Sequence, residues 1–440
     1  MLALLRRVGK TAAAAGRRLD TVKEAAEYEG NLMGRQRFRR AAIVATVCMA
    51  ITGGMSALSA PSASADGPGV GSPWVVTIGD SAISGEAGRW AGNTNNSSSN
   101  VDALGSTAYY DNATNTGELI PGCHRSKAAE AHIGGGVNSL NLACSGARTY
   151  TQTPGSGDFK PGLDFYSDAN GRKGQALMLQ NFAATHNVKA VTVLIGANNF
   201  GFSDLVQTCL TNFLLSPSWW PNYCNDDSSV VAAFTAANVT AQTNAVKGAL
   251  LNVRQAMLNA GYADSSYKMI VQTYSSPIPR GSGFRYSQSG YTRQTVGGCG
   301  FWNADANWAN DTAVTKINQA VTGGAAATGL TNIRILNATN ALVGRRLCEN
   351  TVGLLEEKGV ANWQSAGAAD KTEWVSQVRT ATTIFGPYQL QEGIHPSYWG
   401  QKALRNCMRL AYNNGNPIAG TCTRGANGLN ANGEPNMVLA

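Results

Sequence analysis

Five short apolar runs constrain this chain most: Trp74–Ile78, Ser139–Ala143, Ala190–Ile195, Lys268–Thr273 and Asn332–Leu336. Each has the length and β-branched content of a buried strand. Helical patterns lie between several of them. The clearest is Ser228–Ala260, where Val239, Val246, Leu250, Val253 and Met257 recur at threes and fours and Gly261 supplies a stop. Gln175–Thr185 and Gly400–Asn413 read the same way, the latter with Leu404, Met408 and Ala411 on one side. Strands alternating with helices predict an α/β fold, a parallel sheet covered by helices on both faces. The stretches Asn93–Pro121, Pro277–Asn310 and Asn350–Ile384 exceed plain connectors and are expected to form loops or subdomains around the sheet edge. Residues 423–440 show no apolar period and read as a loose tail.

The first 65 residues are read apart from the fold. Residues 1–40 carry ten Lys/Arg and four acids, 41–65 carry no charge, and Ala63-Ser64-Ala65 offers a small-residue cleavage site. A basic region, an apolar run and an A-x-A site together describe a secretory signal. The run is only weakly apolar for a membrane anchor, with Thr46, Thr52, Gly53, Gly54, Ser56 and Ser59 inside it. Met33 offers a second start for a complete signal, and Arg39-Arg40 hints at twin-arginine export. The whole chain holds 35 Lys/Arg against 27 acids, or +8. Without the leader 25 and 23 remain, or +2, so the basic balance belongs mostly to the leader. That gives no support to a basic nucleic-acid surface, and no nucleic-acid partner is expected. The expected organisation is a removed signal over 1–65, one domain over 66–422 and the tail.

Eight cysteines follow the leader, with Cys48 inside it. An even count in an exported chain implies disulfides. Eight cysteines admit 105 connectivities. Sequential pairing is adopted as the expectation because the residues fall in near pairs: Cys123 with Cys144, Cys209 with Cys224, Cys299 with Cys348, Cys407 with Cys422. A zinc site is disfavoured, since C-x-x-C and a His cluster are both missing. No metal or cofactor is expected.

The chemistry begins at Gly79-Asp80-Ser81, directly after the first apolar run. A Gly there permits a sharp turn, and the next side chain stands at the carboxyl edge of the sheet, where open α/β folds bind ligands. A serine nucleophile needs a base. The histidines are His124, His132, His186 and His395. His395 fits best: it lies in a short loop, with Glu392 three residues earlier and Pro396 after it. Gly146 follows the second run and Asn198 the third, so three strands each deliver one group to one edge, and Gly146 and Asn198 are candidate oxyanion donors. Two further features weigh less. Trp219-Trp220, Phe301-Trp302 and Trp308 could line an acyl or glycan site, but packing under the long loops is the expectation. Arg345-Arg346, Cys348 and Glu349 read as surface residues near a disulfide rather than a substrate-facing patch.

Gly79-Asp80-Ser81, Gly146, Gly196-Ala197-Asn198-Asn199 and Glu392-Gly393-Ile394-His395-Pro396 resemble the four blocks of the SGNH (GDSL) hydrolases. Ser84-Gly85-Glu86, Cys123-His124-Arg125-Ser126 and Asn198-Asn199-Phe200-Gly201-Phe202 leading to Cys209 resemble its exported actinobacterial lipase/esterase branch. The likeness spans Gly79 to Pro396. It implies a three-layer α/β/α sandwich on a five-stranded sheet in the order 2-1-3-4-5. It also implies a secreted monomeric serine esterase acting through an acyl-enzyme on lipid, short acyl or acetylated glycan esters. In that reading Ser81 is nucleophile, His395 base, and Ser81 N–H, Gly146 N–H and the Asn198 amide are oxyanion donors. Two positions depart from the family: Asn199 replaces an acid, with altered loop support expected, and Glu392 replaces the Asp that orients the base. Glu392 is expected to orient His395, with a backbone carbonyl as the alternative. The competing readings are a carbohydrate O-acetyl esterase, a phospholipid-cleaving enzyme, and a secreted binding protein that has lost catalysis on this scaffold.

Overall fold

A computed structural model describes residues 67–153, 159–379 and 390–440. The expected signal over 1–65 lies outside them. The sheet has seven strands rather than five, in the order β2-β1-β3-β4-β5-β6-β7. The strands are β1 Pro73–Gly79, β2 Asn138–Asn141, β3 Asn187–Leu194, β4 Lys268–Gln272, β5 Ile333–Asn337, β6 Gly420–Leu429 and β7 Pro435–Leu439. β2 to β6 join in parallel through β1, and β7 pairs antiparallel with β6.

Side-chain alternation sorts the strands onto two cores. Val76, Val191, Met269 and Ile333 stand in register across β1, β3, β4 and β5. They pack on one face against α1 Gln175–Ala183, α3 Ala236–Asn259 and α4 Val314–Ala327. Val75, Ala190, Ile270 and Leu336 face the other side, where Leu404, Cys407, Met408 and Ala411 of α5 Tyr398–Tyr412 cover them. Those four recur at i, i+3, i+4 and i+7, one stripe of a helix. The expected single helix over Ser228–Ala260 is two: Ser228–Ala233 ends near Phe234, and α3 restarts with the Thr235 hydroxyl accepting from Asn238 N–H. A further helix, α2 Phe202–Leu215, follows the third strand.

The loose-tail reading of 423–440 is corrected: β6 and β7 close the sheet edge as a hairpin. Cys407–Cys422 ties α5 to β6. Arg409 of α5 grips both oxygens of buried Glu434, and Met437 N–H donates to Asn406 Oδ1 at 2.9 Å. Only Cys422, Met437 and Leu439 among the hairpin's apolar side chains pack into the core, too few to make a period in sequence. The other disulfides join Cys123–Cys144, Cys209–Cys224 and Cys299–Cys348.

Truncation after Asn430 removes β7 and the burial of Met437. A buried Met side chain contributes roughly 1.5–3 kcal/mol, and each kcal/mol moves the Tm of a large domain by about 2–4 °C. The truncated protein should therefore melt at least about 3 °C lower by calorimetry. An unchanged Tm would restore the loose-tail reading.

Candidate active site

β1 ends at Gly79, whose φ is +144°; a side chain there would meet the Leu194 carbonyl oxygen at 2.1 Å. The close approach of β3 thus demands glycine. Buried Gln175 brackets the same residue, accepting from Gly79 N–H at 2.7 Å and donating to its carbonyl at 2.9 Å. The chain then turns into a one-turn helix, Ser81–Ser84, whose N-cap Asp80 accepts from Ala82 N–H. Ser81 is its first residue, so its backbone N–H has no partner within the helix.

His395 arrives from the far end of the sequence. Its Nε2 lies 2.7 Å from Ser81 Oγ. Its Nδ1 lies 3.1 Å from the carbonyl of Gly393. A carbonyl only accepts, so the proton sits on Nδ1 and Nε2 accepts from the Ser81 hydroxyl. The loop is pinned by paired backbone bonds with Ser376: Ile394 N–H donates to its carbonyl, and its own N–H donates to the His395 carbonyl, both at 3.0 Å. Ile394 itself holds φ at +67°. A β-branched residue there costs about 1–3 kcal/mol and persists only where its surroundings impose it.

Glu392 does not take the expected orienting role. Its carboxylate accepts from Trp90 Nε1 at 2.8 Å and from the Tyr109 hydroxyl. The Gly393 carbonyl, the backbone alternative, meets His395 Nδ1.

The carboxylate beside His395 is Glu86, which the sequence analysis assigned no role. It is buried, with Oε2 3.8 Å from His395 Nε2 and 2.5 Å from the Ser145 hydroxyl, and Oε1 2.9 Å from His124 Nδ1. Burial alone would raise its pKa, but His395, His124 and the Ser145 hydroxyl outweigh burial and hold it below the ordinary range. The signal was present: Glu86 is an acid five residues after the candidate nucleophile, directly past the glycine that ends its one-turn helix.

Asn198 follows β3 and lines the same cleft as Ser81 and His395. One of its two amide hydrogens is donated to the Ala147 carbonyl at 2.9 Å, which leaves the second for a ligand. Gly146, with φ +77°, lines the polar side of the cleft with Ser81, Glu86 and Ser145. Asn199 ties its loop to the next: its Oδ1 accepts from Thr149 N–H, and its Nδ2 donates to the Thr149 hydroxyl and to Gln242. The Gly146 and Asn198 loops are thereby held as one unit.

Two more carboxyls lie beneath Ser81. Burial pushes Asp80 up to about 7, against the opposing bonds from the Tyr274 hydroxyl and Ala82 N–H. Burial pushes Glu130 up to about 8, with Gln272 opposing and Asp80 adding to it. Tyr274 also accepts from Ala197 N–H, and Gln401 joins Glu130 N–H to the Ala82 carbonyl. The network couples the Ser81 helix to the Asn198 loop.

The other aromatic and basic candidates disperse. Trp302 is buried, while Phe301 and Trp308 line an apolar pocket with Leu205, Pro277 and Val314. Trp219 and Trp220 are exposed, against the expectation that they pack under loops. Arg346 pairs with Glu349 at 2.6 Å, and Arg345, Cys348 and Glu349 are all buried, against the expectation of surface residues.

No family model matches the chain, and no curated protein matches it. It is similar to an extracellular lipase from Streptomyces rimosus at 18% identity and TM-score 0.39, covering 77% of this chain and 98% of that one. It is similar to a phospholipase A1 from Streptomyces albidoflavus at 17% identity and TM-score 0.39, with the same coverage. Est24, a carbohydrate acetylesterase from Sinorhizobium meliloti, matches at 11% identity and TM-score 0.26, covering 60% of this chain and 83% of that one. Scores this low carry no argument about activity, so the functional reading rests on the site itself.

Three carboxylates give testable outcomes. Glu86→Gln should lower kcat/KM for a soluble ester by roughly tenfold to a hundredfold, since opposite charges within 4 Å interact by up to about 4 kcal/mol near a protein surface. Glu392→Gln should stay within about threefold of the native rate while melting lower, because it loses one buried bond. The reverse ranking would return the orienting role to Glu392. Glu130 ionises near pH 4.5 when unfolded and about 8 when folded. The folded state therefore binds the extra proton between those values, and stability falls as pH rises through them. Glu130→Gln should remove that loss, so its Tm relative to the native chain should rise from pH 5 to pH 8. Parallel Tm–pH curves would contradict the assignment.

Proposed function

We propose that the chain is an exported serine ester hydrolase whose substrate presents an acyl chain longer than acetyl. The observation that carries the reading is the 2.7 Å contact between Ser81 Oγ and His395 Nε2 at the mouth of an apolar cleft. Phe202, Pro277, Val314, Ile317 and Ile394 line that cleft and also the apolar pocket beside it, so one lipophilic path leads away from the nucleophile. An acetyl ester has no use for such a path, which favours the lipid or fatty-ester reading over the carbohydrate O-acetyl esterase. The four disulfides support export.

In this mechanism Ser81 gives its proton to His395 Nε2 and attacks the ester carbonyl carbon. The tetrahedral oxyanion is met by the N–H groups of Ser81 and Gly146 and the free amide hydrogen of Asn198. His395, oriented by the Gly393 carbonyl and charge-balanced by Glu86, returns the proton to the leaving alcohol. Water then releases the acid from Ser81 by the same steps.

A panel of p-nitrophenyl esters from acetyl to dodecanoyl, with acetylated xylan beside it, tests the reading. kcat/KM should peak at medium or long chains, and Ser81→Ala should abolish turnover with its Tm kept. Ile317→Trp should block the path and depress long-chain turnover at least about tenfold while sparing acetyl. Preference for acetylated xylan would support the acetyl esterase instead.

A further inference from the structure

The segment after α2 holds large apolar side chains out in water. Leu215 is 82% exposed, Trp219 80% and Trp220 73%. No charged residue lies between Asp204 and Asp226. The display is built, not frayed. Cys209–Cys224 closes the segment at its base. The Ser216 hydroxyl donates to the Asn212 carbonyl at 2.6 Å and accepts from Asn222 N–H at 2.9 Å; Trp220 N–H donates to the Pro217 carbonyl at 2.9 Å. Asn212 also donates to the Tyr223 carbonyl and to Asp227. Beneath it, Phe213 packs on Trp302 with ring centres 4.7 Å apart. A loop ordered this way keeps its indoles exposed at little entropic cost on docking.

We propose that Leu215, Trp219 and Trp220 form an anchor that seats the protein on a lipid surface. Three observations choose that occupant. Indole is the side chain that settles at the headgroup level, with an apolar body and one N–H. Beside the indoles stand Leu215, Pro217 and Pro221 with Ser218, and the Ser216 hydroxyl is already engaged by the Asn212 carbonyl and Asn222 N–H, so the surface is mostly apolar and carries no charge. The anchor also shares a helix with the catalytic cleft: α2 lines that cleft through Phe202 and the apolar pocket beside it through Leu205 and Val206, and ends at Leu215, about 20 Å along the helix axis. Docking that end on lipid brings the helix that lines the acyl path onto the surface that supplies the chains. With no charge in the segment, docking rests on apolar insertion and tolerates salt. The choice of lipid rests on the ester-hydrolase reading, and the test separates the two.

The probe is phosphatidylcholine vesicles, mixed with the Ser81→Ala protein so that no lipid is cut. Partitioning should be measurable, salt-insensitive and accompanied by a blue shift in tryptophan emission. Adding Trp219→Ser and Trp220→Ser should lower the partition coefficient about tenfold or more. In the otherwise native protein the same pair should leave turnover of a soluble short ester within about twofold, with an unchanged Tm. Equal partitioning of both proteins, or none by either, overturns the anchor even if esters are hydrolysed. So does tryptophan-dependent binding to acetylated xylan without binding to vesicles, or a dimer in solution that the two substitutions dissolve. Tryptophan-dependent vesicle binding by a protein that hydrolyses no ester would keep the anchor and overturn only the ester reading.

Discussion

The contact between Ser81 and His395 joins residues 314 apart in sequence, and the rest of the architecture serves to make it. Each side is fixed by a different device. Ser81 stands where β1 stops, because Gly79 lets β3 approach and Gln175 holds its peptide on both sides. His395 is held through its backbone by Ser376 and through its ring by the Gly393 carbonyl. A 2.7 Å contact survives only if neither anchor drifts, since a displacement of about 1 Å is costly at a reacting centre.

Burial sets the electrostatics. Four carboxyl groups surround the contact with different states and tasks. Glu86 faces two histidines and stays ionised. Asp80 and Glu130 are buried among Tyr274, Gln272 and Gln401 and hold their protons to about pH 7 and about 8. Glu392 braces Trp90 and Tyr109. One negative charge is therefore retained beside His395, while those around Ser81 are suppressed in acid and neutral solution. In the mechanism proposed, an imidazolium at His395 would meet Glu86, and an oxyanion near Ser81 would be spared the repulsion of ionised Asp80 below pH 7.

Much of this was legible in sequence, for physical reasons. The strands at Trp74–Ile78, Ala190–Ile195 and Lys268–Thr273 were readable because strands buried on both faces are apolar throughout. Gly79, Ser81, Asn198 and His395 were readable because each lies at the end of such a run or in a short loop before a helix. The hairpin β6–β7 was not, because it buries too few residues to leave a pattern. The contrast between Glu86 and Glu392 was hidden as well. Spacing says which groups share a turn, but the partners that the fold brings to each carboxylate, His124 and Ser145 for Glu86 and Trp90 and Tyr109 for Glu392, come from distant sequence. Trp219 and Trp220 failed differently: aromatic residues are ordinarily read as core, and only the fold shows these two pointing outward.

The most direct test is the reactivity of Ser81 itself. A fluorophosphonate probe, followed by peptide mapping of the purified protein, reports whether that hydroxyl is a working nucleophile. The account predicts one adduct, on Ser81, formed within minutes in the native protein and slowed by several orders of magnitude in His395→Ala. No adduct, an adduct on another serine, or labelling of Ser81 at an unchanged rate without His395 would contradict it.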